Sequence, residues 1–275
     1  MNCVYCGDPI TVESREHIIQ NAIGGLEESA DICCSKCNNY ISKSIDKPFV
    51  SSFNPIISRI SNFVKTNNKK STPSYTGKAI YNGRVYSVIL KKGHVVSCPE
   101  LSKRLHSDIS KLNFEIIGYD FIIDNTSFVR GVSKIAFNFA LSKGIPLDAI
   151  RDKLIVEKDG NCIKSIDFKY QVIPFVPLNP MDSYLELETE LLLYHNLILF
   201  SQGDFLWCYV DLFNTFQYYV CLTDKWPRNQ KISESYFQQL QKLNRIVPEI
   251  KRWRPKYGLI CADLYEVEPS PDKNV

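Results

Sequence analysis

Two Cys-x-x-Cys pairs close to the start constrain this chain more than any other feature. They are Cys3-Val4-Tyr5-Cys6 and Cys34-Ser35-Lys36-Cys37, with residues 7–33 between them. Four thiolates in two close pairs are what a tetrahedral zinc site requires. A segment this small buries too little apolar surface to fold unaided, so zinc would supply its folding energy. Cys33 lies beside Cys34, but Cys34 keeps the spacing to Cys37, and Cys33 is read as packing.

Three further residues lie between or beside these pairs: Glu16, His17 and Asn38. Glu16 offers hard oxygen atoms suited to Mg²⁺ or Mn²⁺. His17 can take a proton from water near neutral pH. Asn38 follows a zinc thiolate directly, and its carbonyl oxygen can join Glu16 on one ion. A metal-bound phosphate and a water activated by His17 would complete a hydrolytic site. Neighbours in an ideal strand point to opposite faces, however, so Glu16 and His17 serve one site only where the strand bends or ends.

The run Cys-Val-Tyr-Cys, then Glu-His-Ile-Ile-x(4)-Gly-Gly, then Cys-Ser-Lys-Cys-Asn-Asn resembles the HNH endonucleases whose ββα-metal core is stapled by a four-cysteine zinc. The resemblance covers roughly residues 1–47. It implies His17 as general base, Glu16 as metal ligand and Asn38 as second metal ligand. The chain departs from the family pattern at the middle Asn, which orients the base. Ser29 stands in that place, with Asp31 as the alternative under a small gap. Gln20 stands where a proline is common.

Charge is unevenly spread. Residues 1–35 hold Arg15 against six acids, a net of −5. Residues 36–104 hold thirteen Lys and Arg against Asp46 and Glu100, a net of +11, and the remainder carries −3. A basic belt after the cysteine module is the footprint of a polyanion binder. Lys43, Lys47, Lys69, Lys70, Lys91 and Lys92 are its candidate nucleic-acid contacts, giving affinity rather than sequence choice. Tyr75, Tyr81 and Tyr86, interleaved with the belt, are read as sheet packing in preference to base stacking. Lys251–Lys256 forms a second basic cluster around Trp253.

No run of about 18 apolar residues indicates a membrane span. No basic, then apolar, leader follows Met1, so no secretory signal is expected. Six of the ten cysteines lie outside the two pairs, scattered and several in apolar runs, which points to a reducing, cytoplasmic setting.

Beyond the module, Ser35–Lys47 reads as a short helix ended by Pro48, and Asn54–Pro55 opens another carrying Ile56, Ile57, Ile60, Phe63 and Val64. The stretch 66–73 reads as a linker. A β-meander follows, turning at Asn82–Gly83 and Lys91–Gly93. Pro99 opens an amphipathic helix, Phe114–Asp124 reads as a strand, and Thr126–Lys143 as a helix stopped by Gly144. A short helix from Pro146 and strands near Ile163–Val176 come next. Leu191–Leu222 divides at Gln202–Gly203 and Asn214–Thr215 into three antiparallel strands. Ser233–Val247 reads as a final helix, Leu259–Val267 as an edge strand and Ser270–Val275 as a frayed tail.

The expected fold class is α+β: an N-terminal zinc-stapled ββα-metal module, then a mixed region with antiparallel β-meanders. The expected domains are residues 1–50 as nuclease module, 51–110 as basic helix and meander, and 111–275 as a C-terminal α+β domain. The expected function is metal-dependent hydrolysis of phosphodiester bonds in DNA, with RNA the other polyanion allowed. A partner or activator would dock on the C-terminal region, as in an effector of a prokaryotic defence system. The competing expectation is a zinc-knuckle nucleic-acid or protein binding module without catalysis.

Overall fold

The computed structural model describes residues 1–11, 14–60, 72–105, 109, 112–119, 124–160, 162–174 and 191–243. The stretch 66–71 of the expected linker, Phe63, Val64, Lys69, Lys70, the Lys251–Lys256 cluster, the 259–267 strand and the 270–275 tail lie outside them.

The N-terminal module has two antiparallel two-residue strands, β1 (Glu16–His17) and β2 (Glu28–Ser29), followed by helix α1 (Ser35–Ile41). The ββα arrangement is visible here in part, as two two-residue strands ahead of a helix. Helix α1 passes through a π-helical segment, Ser42–Asp46, into α2 (Lys47–Ser51). The helix was expected to end at Pro48, but it runs on. The wide i+5 turn ends with the Lys47 amide on the Ser42 carbonyl, just before the proline. Pro48 then falls in the first turn of α2, where its missing N–H costs little. Helix α3 (Asn54–Ile60) follows.

A four-stranded antiparallel sheet comes next. Its strands are β3 (Tyr75–Tyr81), β4 (Arg84–Lys91), β5 (His94–Ser97) and β6 (Glu115–Tyr119), in the order β5-β4-β3-β6. Helix α4 (Pro99–Leu105) packs on it. Tyr75, Ala79, Tyr86, Val88 and Leu90 alternate inward with Cys98, Leu101 and Ile109. Tyr75 and Tyr86 are therefore packing residues, and Tyr81 meets the Phe114 ring at 5.5 Å.

The main core forms around helix α5 (Asn125–Ser142). Asp124 caps it by accepting the Ser127 amide at 3.1 Å, and the chain turns off at Gly144. Residues 131–140 are buried continuously, the pattern of a helix covered on all sides. One covering is a five-stranded antiparallel sheet. Its strands are β9 (Gln171–Pro174), β10 (Leu191–Gln202), β11 (Phe205–Leu212), β12 (Phe216–Thr223) and β13 (Ser233–Leu243), in the order β13-β10-β11-β12-β9. The other covering is the N-terminal module itself. Helix α6 (Leu147–Ile150) and the hairpin of β7 (Leu154–Asp159) and β8 (Cys162–Phe168) complete the region. A single apolar cluster runs from Cys3 and Ile41 through Phe128 and Phe137 to Leu197 and Val220.

The expected helix at Ser233–Val247 is a correction: residues 233–243 form β13, paired antiparallel with β10 from Ser233↔Phe200 to Leu243↔Leu191. Glutamine-rich composition favours helix locally, but β10 presents a full ladder of backbone groups that β13 satisfies.

The packing of α2 on α5 depends on Gly131. A Cβ there would fall 2.2 Å from the Phe49 ring. Glycine inside a helix costs about 1 kcal/mol against alanine, and here it admits a fully buried aromatic residue. Gly131→Ala is expected to destabilise the protein by about 1–3 kcal/mol through overpacking, despite the better helix propensity. Chemical denaturation checks it, and an unchanged midpoint would refute it.

Candidate metal centre and active site

The Cys3–Cys6 turn closes through the Gly7 amide on the Cys3 carbonyl at 2.8 Å. Cys34 caps α1, with the Asn38 amide on its carbonyl at 2.9 Å. These two backbone turns bring the sulfurs of Cys3, Cys6, Cys34 and Cys37 within 4.8 Å of one another. Cys6 Sγ and Cys34 Sγ are 3.7 Å apart. A tetrahedral zinc with bonds of about 2.3 Å sets its sulfurs about 3.8 Å apart, so the four residues fit such an ion. Cys33 is buried and stands outside this set, its thiol donating to the Cys34 carbonyl at 3.4 Å.

The centre is tied into the rest of the chain. Tyr5, between the first two cysteines, packs on Phe137 with centroids 5.6 Å apart and is fully buried. Lys158 on β7 reaches Asp8 at 3.1 Å and donates to the Cys6 carbonyl.

Glu16 and His17 point to opposite sides of β1. The Glu16 side chain is 2 % exposed and turned into the core. It is in ion-pair contact with Lys134 of α5 and accepts from Asn138 Nδ2 at 3.4 Å. A cation thus already sits on Oε1 of this carboxylate. As it lies, Glu16 does not fit the role of ligand to a second, hard divalent ion. His17 is half-buried on the outer side, with Nε2 3.0 Å from Glu28 Oε1. Glu28 sits directly across from it in the β1–β2 register, and Arg15 lies 3.7 Å from the other oxygen of Glu28. Burial lowers the His17 pKa below its ordinary value, with Glu28 opposing. The neutral imidazole donates Nε2–H to Glu28, an assignment drawn from the contact, and keeps Nδ1 as its proton acceptor.

Asn38 is half-buried at the start of α1. Its amide nitrogen donates to Ser14 Oγ at 2.8 Å and to the Arg15 carbonyl at 3.3 Å, bracing the segment that leads into β1. Of the residues expected to replace the middle Asn, Ser29 faces Glu16 in the register and accepts the Asp31 amide at 3.5 Å. The side chain found against His17 is Glu28, one residue earlier.

The turn after His17 is fixed just as firmly. A Cβ on Gly25 would lie 2.0 Å from the Ile19 carbonyl oxygen, so only glycine fits. His195 on β10 meets the Ile23 carbonyl at 3.0 Å through Nε2 and accepts the Phe213 amide at 3.2 Å. Burial pushes its pKa down to about 4, which keeps it neutral and structural. Gln238 on β13 donates to the Gly24 carbonyl and accepts the Leu26 amide at 3.2 Å.

Among the belt lysines, Lys43, Lys47 and Lys92 are exposed, and Lys91 is half-buried at the β4 end. The Lys92 amide donates to Ser58 Oγ at 2.9 Å, joining the meander to α3.

Fold and cluster define an α+β protein with an N-terminal four-cysteine module suited to a structural metal such as zinc. Residues 3–54 match the family model described as HNH endonuclease, which supports a nuclease-type function for that module. No curated protein and no solved structure matches the chain. Among the described residues, no helix is long and apolar enough to cross a membrane.

Proposed function

We propose that the protein is an endonuclease that hydrolyses phosphodiester bonds, in DNA as the first substrate. The observation that carries this reading is the half-buried His17 imidazole, fixed on Glu28 at 3.0 Å within the segment that matches the HNH endonucleases. In this reading His17 Nδ1 takes a proton from water as its oxygen bonds to phosphorus. The bond from phosphorus to the leaving sugar oxygen breaks, and that oxygen is protonated by solvent. Glu28 orients the ring, and the four cysteines hold a structural zinc. A requirement for Mg²⁺ or Mn²⁺ belongs to the proposal, with Asn38 as a candidate ligand. Plasmid cleavage in Mg²⁺ or Mn²⁺, with an EDTA control, tests it. Absence of metal-dependent nicking or cutting of DNA, and of RNA as second substrate, would reject it.

The buried Glu16–Lys134 contact favours a second reading, a zinc module that binds nucleic acid or protein without cutting. The same assay separates the two.

The basic belt is proposed as a phosphate-binding surface. With Lys43, Lys47, Lys91 and Lys92 each neutralising one phosphate, a fourfold rise in salt weakens binding by about 10²-fold. A salt titration by fluorescence anisotropy measures this, and a flat response removes the belt from the interface.

A cytoplasmic effector of a prokaryotic defence system, restrained or activated by a partner on the C-terminal region, is the biological setting proposed for these parts. Constitutive cleavage by the isolated protein would count against the restraint.

A further inference from the structure

We propose that Lys134 is a positioning residue for the candidate nuclease site, and that Glu16 is its buried counter-ion rather than a ligand of a catalytic metal. The catalytic half of this inference rests on the nuclease reading of His17.

Lys134 sits in the middle of α5 and is completely buried. An ammonium taken out of water is tolerated only where charges and acceptors surround it. Its contacts are Glu16, Asp46 Oδ1 at 3.2 Å and the His17 carbonyl at 3.1 Å. All three belong to the N-terminal module. Burial alone would lower the Lys134 pKa, but Asp46 and Glu16 together raise it to about 12; burial raises the Glu16 pKa, and the Lys134 ammonium opposes that rise.

A hydrophobic side chain of similar volume would often serve a core as well or better. What the ammonium adds is placement. Strand β1 is two residues long and has little ladder of its own to define it. Lys134 grips its inner side at the Glu16 carboxylate and the His17 carbonyl, while the His17 ring projects from the outer side onto Glu28. The ammonium therefore sets the depth and rotation of the residue that carries the base.

The network extends in both directions. Asp46 accepts from Gln20 Nε2 at 2.6 Å, which anchors the start of the turn after His17. One helical turn on from Lys134, Asn138 bonds Glu16 and accepts the Tyr5 hydroxyl at 2.6 Å. The zinc turn, β1 and the π-helical segment are thus all referenced to one face of α5. The C-terminal region is then part of the nuclease site's architecture, acting through the backbone of the base strand.

Four variants test this. Lys134→Met leaves the buried Glu16 and the part-buried Asp46 without their cation and is expected to lower stability. The balanced variant Glu16→Gln/Lys134→Met/Asp46→Asn removes all three charges together and avoids that burden. In the balanced variant, zinc content is expected to stay at the wild-type level. kcat for DNA cleavage is expected to fall about 10-fold or more with KM within about twofold, since a 1 Å misplacement can cost about 10²-fold. Hydrogen exchange reads the same placement without catalysis. The Ile18 amide, bonded to the Glu27 carbonyl at 3.0 Å, should exchange at least tenfold faster. The Gly7 amide in the zinc turn should be unchanged. Lys143→Met, which removes another ion pair to the module, from the residue just after α5 to Glu27, should leave kcat unaltered. In Glu16→Gln the Mg²⁺ concentration for half-maximal cleavage should hold within about twofold, whereas loss of a true ligand would raise it far more. Wild-type kcat and unchanged Ile18 exchange in the balanced variant would overturn the proposal, as would a large rise in the Mg²⁺ requirement of Glu16→Gln. Should the wild-type protein cleave nothing, the nuclease reading falls, and the exchange rates alone decide whether Lys134 places β1.

Discussion

Removing zinc, by Cys37→Ser or by a strong chelator, is expected to unfold the N-terminal module and to lower the melting temperature of the whole chain. Structural zinc contributes about 10–16 kcal/mol to small zinc modules near neutral pH. The net stability of a whole domain is about 5–15 kcal/mol, so the ion's contribution is large enough to decide folding. The loss would not stay local, because the module does not own its core. Tyr5 stands between two of the cysteines and packs on Phe137 and Phe168. Ile41, Ile45, Phe49 and Phe53 continue the same cluster to Phe213 and Phe216. Without the ion the Cys3–Cys6 turn loses what closes it against α1, and Tyr5 loses its seat. Metal analysis should find one zinc per chain in the wild type and none in Cys37→Ser. Differential scanning calorimetry should then show a lowered transition. A Cys37→Ser protein that is zinc-free and keeps the wild-type transition would refute the structural role.

The parts of this architecture written in short-range chemistry could be read from the sequence. The four cysteines announce themselves by spacing. The turn at Asn82–Gly83 has both residues at positive φ, 48° and 73°, the conformation the dipeptide signals. Helix α5 carries its cap, its apolar period and its stop within about twenty residues. What could not be read depends on partners far away in the chain. Strand β13 looks helical until β10 supplies its ladder. Glu28 becomes the partner of His17 only through the β1–β2 register, whereas spacing counted back from Asn38 leads to Ser29. Lys134 is the clearest case, since its acids come from segments about ninety and more residues earlier. A signal was nevertheless present: a single lysine inside an otherwise uncharged stretch from Gly131 to Ser142, with Asn138 four residues on. A cation enclosed by apolar neighbours on a helix announces a buried acid elsewhere. The inward turn of Glu16 follows from the alternation of strand faces, which the adjacency of Glu16 and His17 already implied.

His17→Ala is expected to reduce metal-dependent cleavage by about 10²–10⁴-fold, the range that a positioned proton acceptor supplies. The variant should keep its zinc and its melting temperature, because the imidazole is half-buried at the surface and its principal side-chain contact is the Glu28 carboxylate. His94, exposed on β5, provides the comparison: His94→Ala should cleave like the wild type. The pH profile adds a second reading of the same residue. Burial lowers the His17 pKa below the ordinary histidine value, with Glu28 opposing. The neutral, proton-accepting form therefore persists to lower pH than for a free imidazole. Activity should be full near neutrality and should fall as the pH drops through the lowered pKa, on the acid side of about 6.5. Glu28→Gln removes the carboxylate that favours the protonated ring, so the acid limb should move further down, while kcat drops because the ring is less firmly oriented. Full cleavage by His17→Ala would end the assignment of the base. An acid limb unmoved in Glu28→Gln would show that the contact across β1 and β2 does not govern that base.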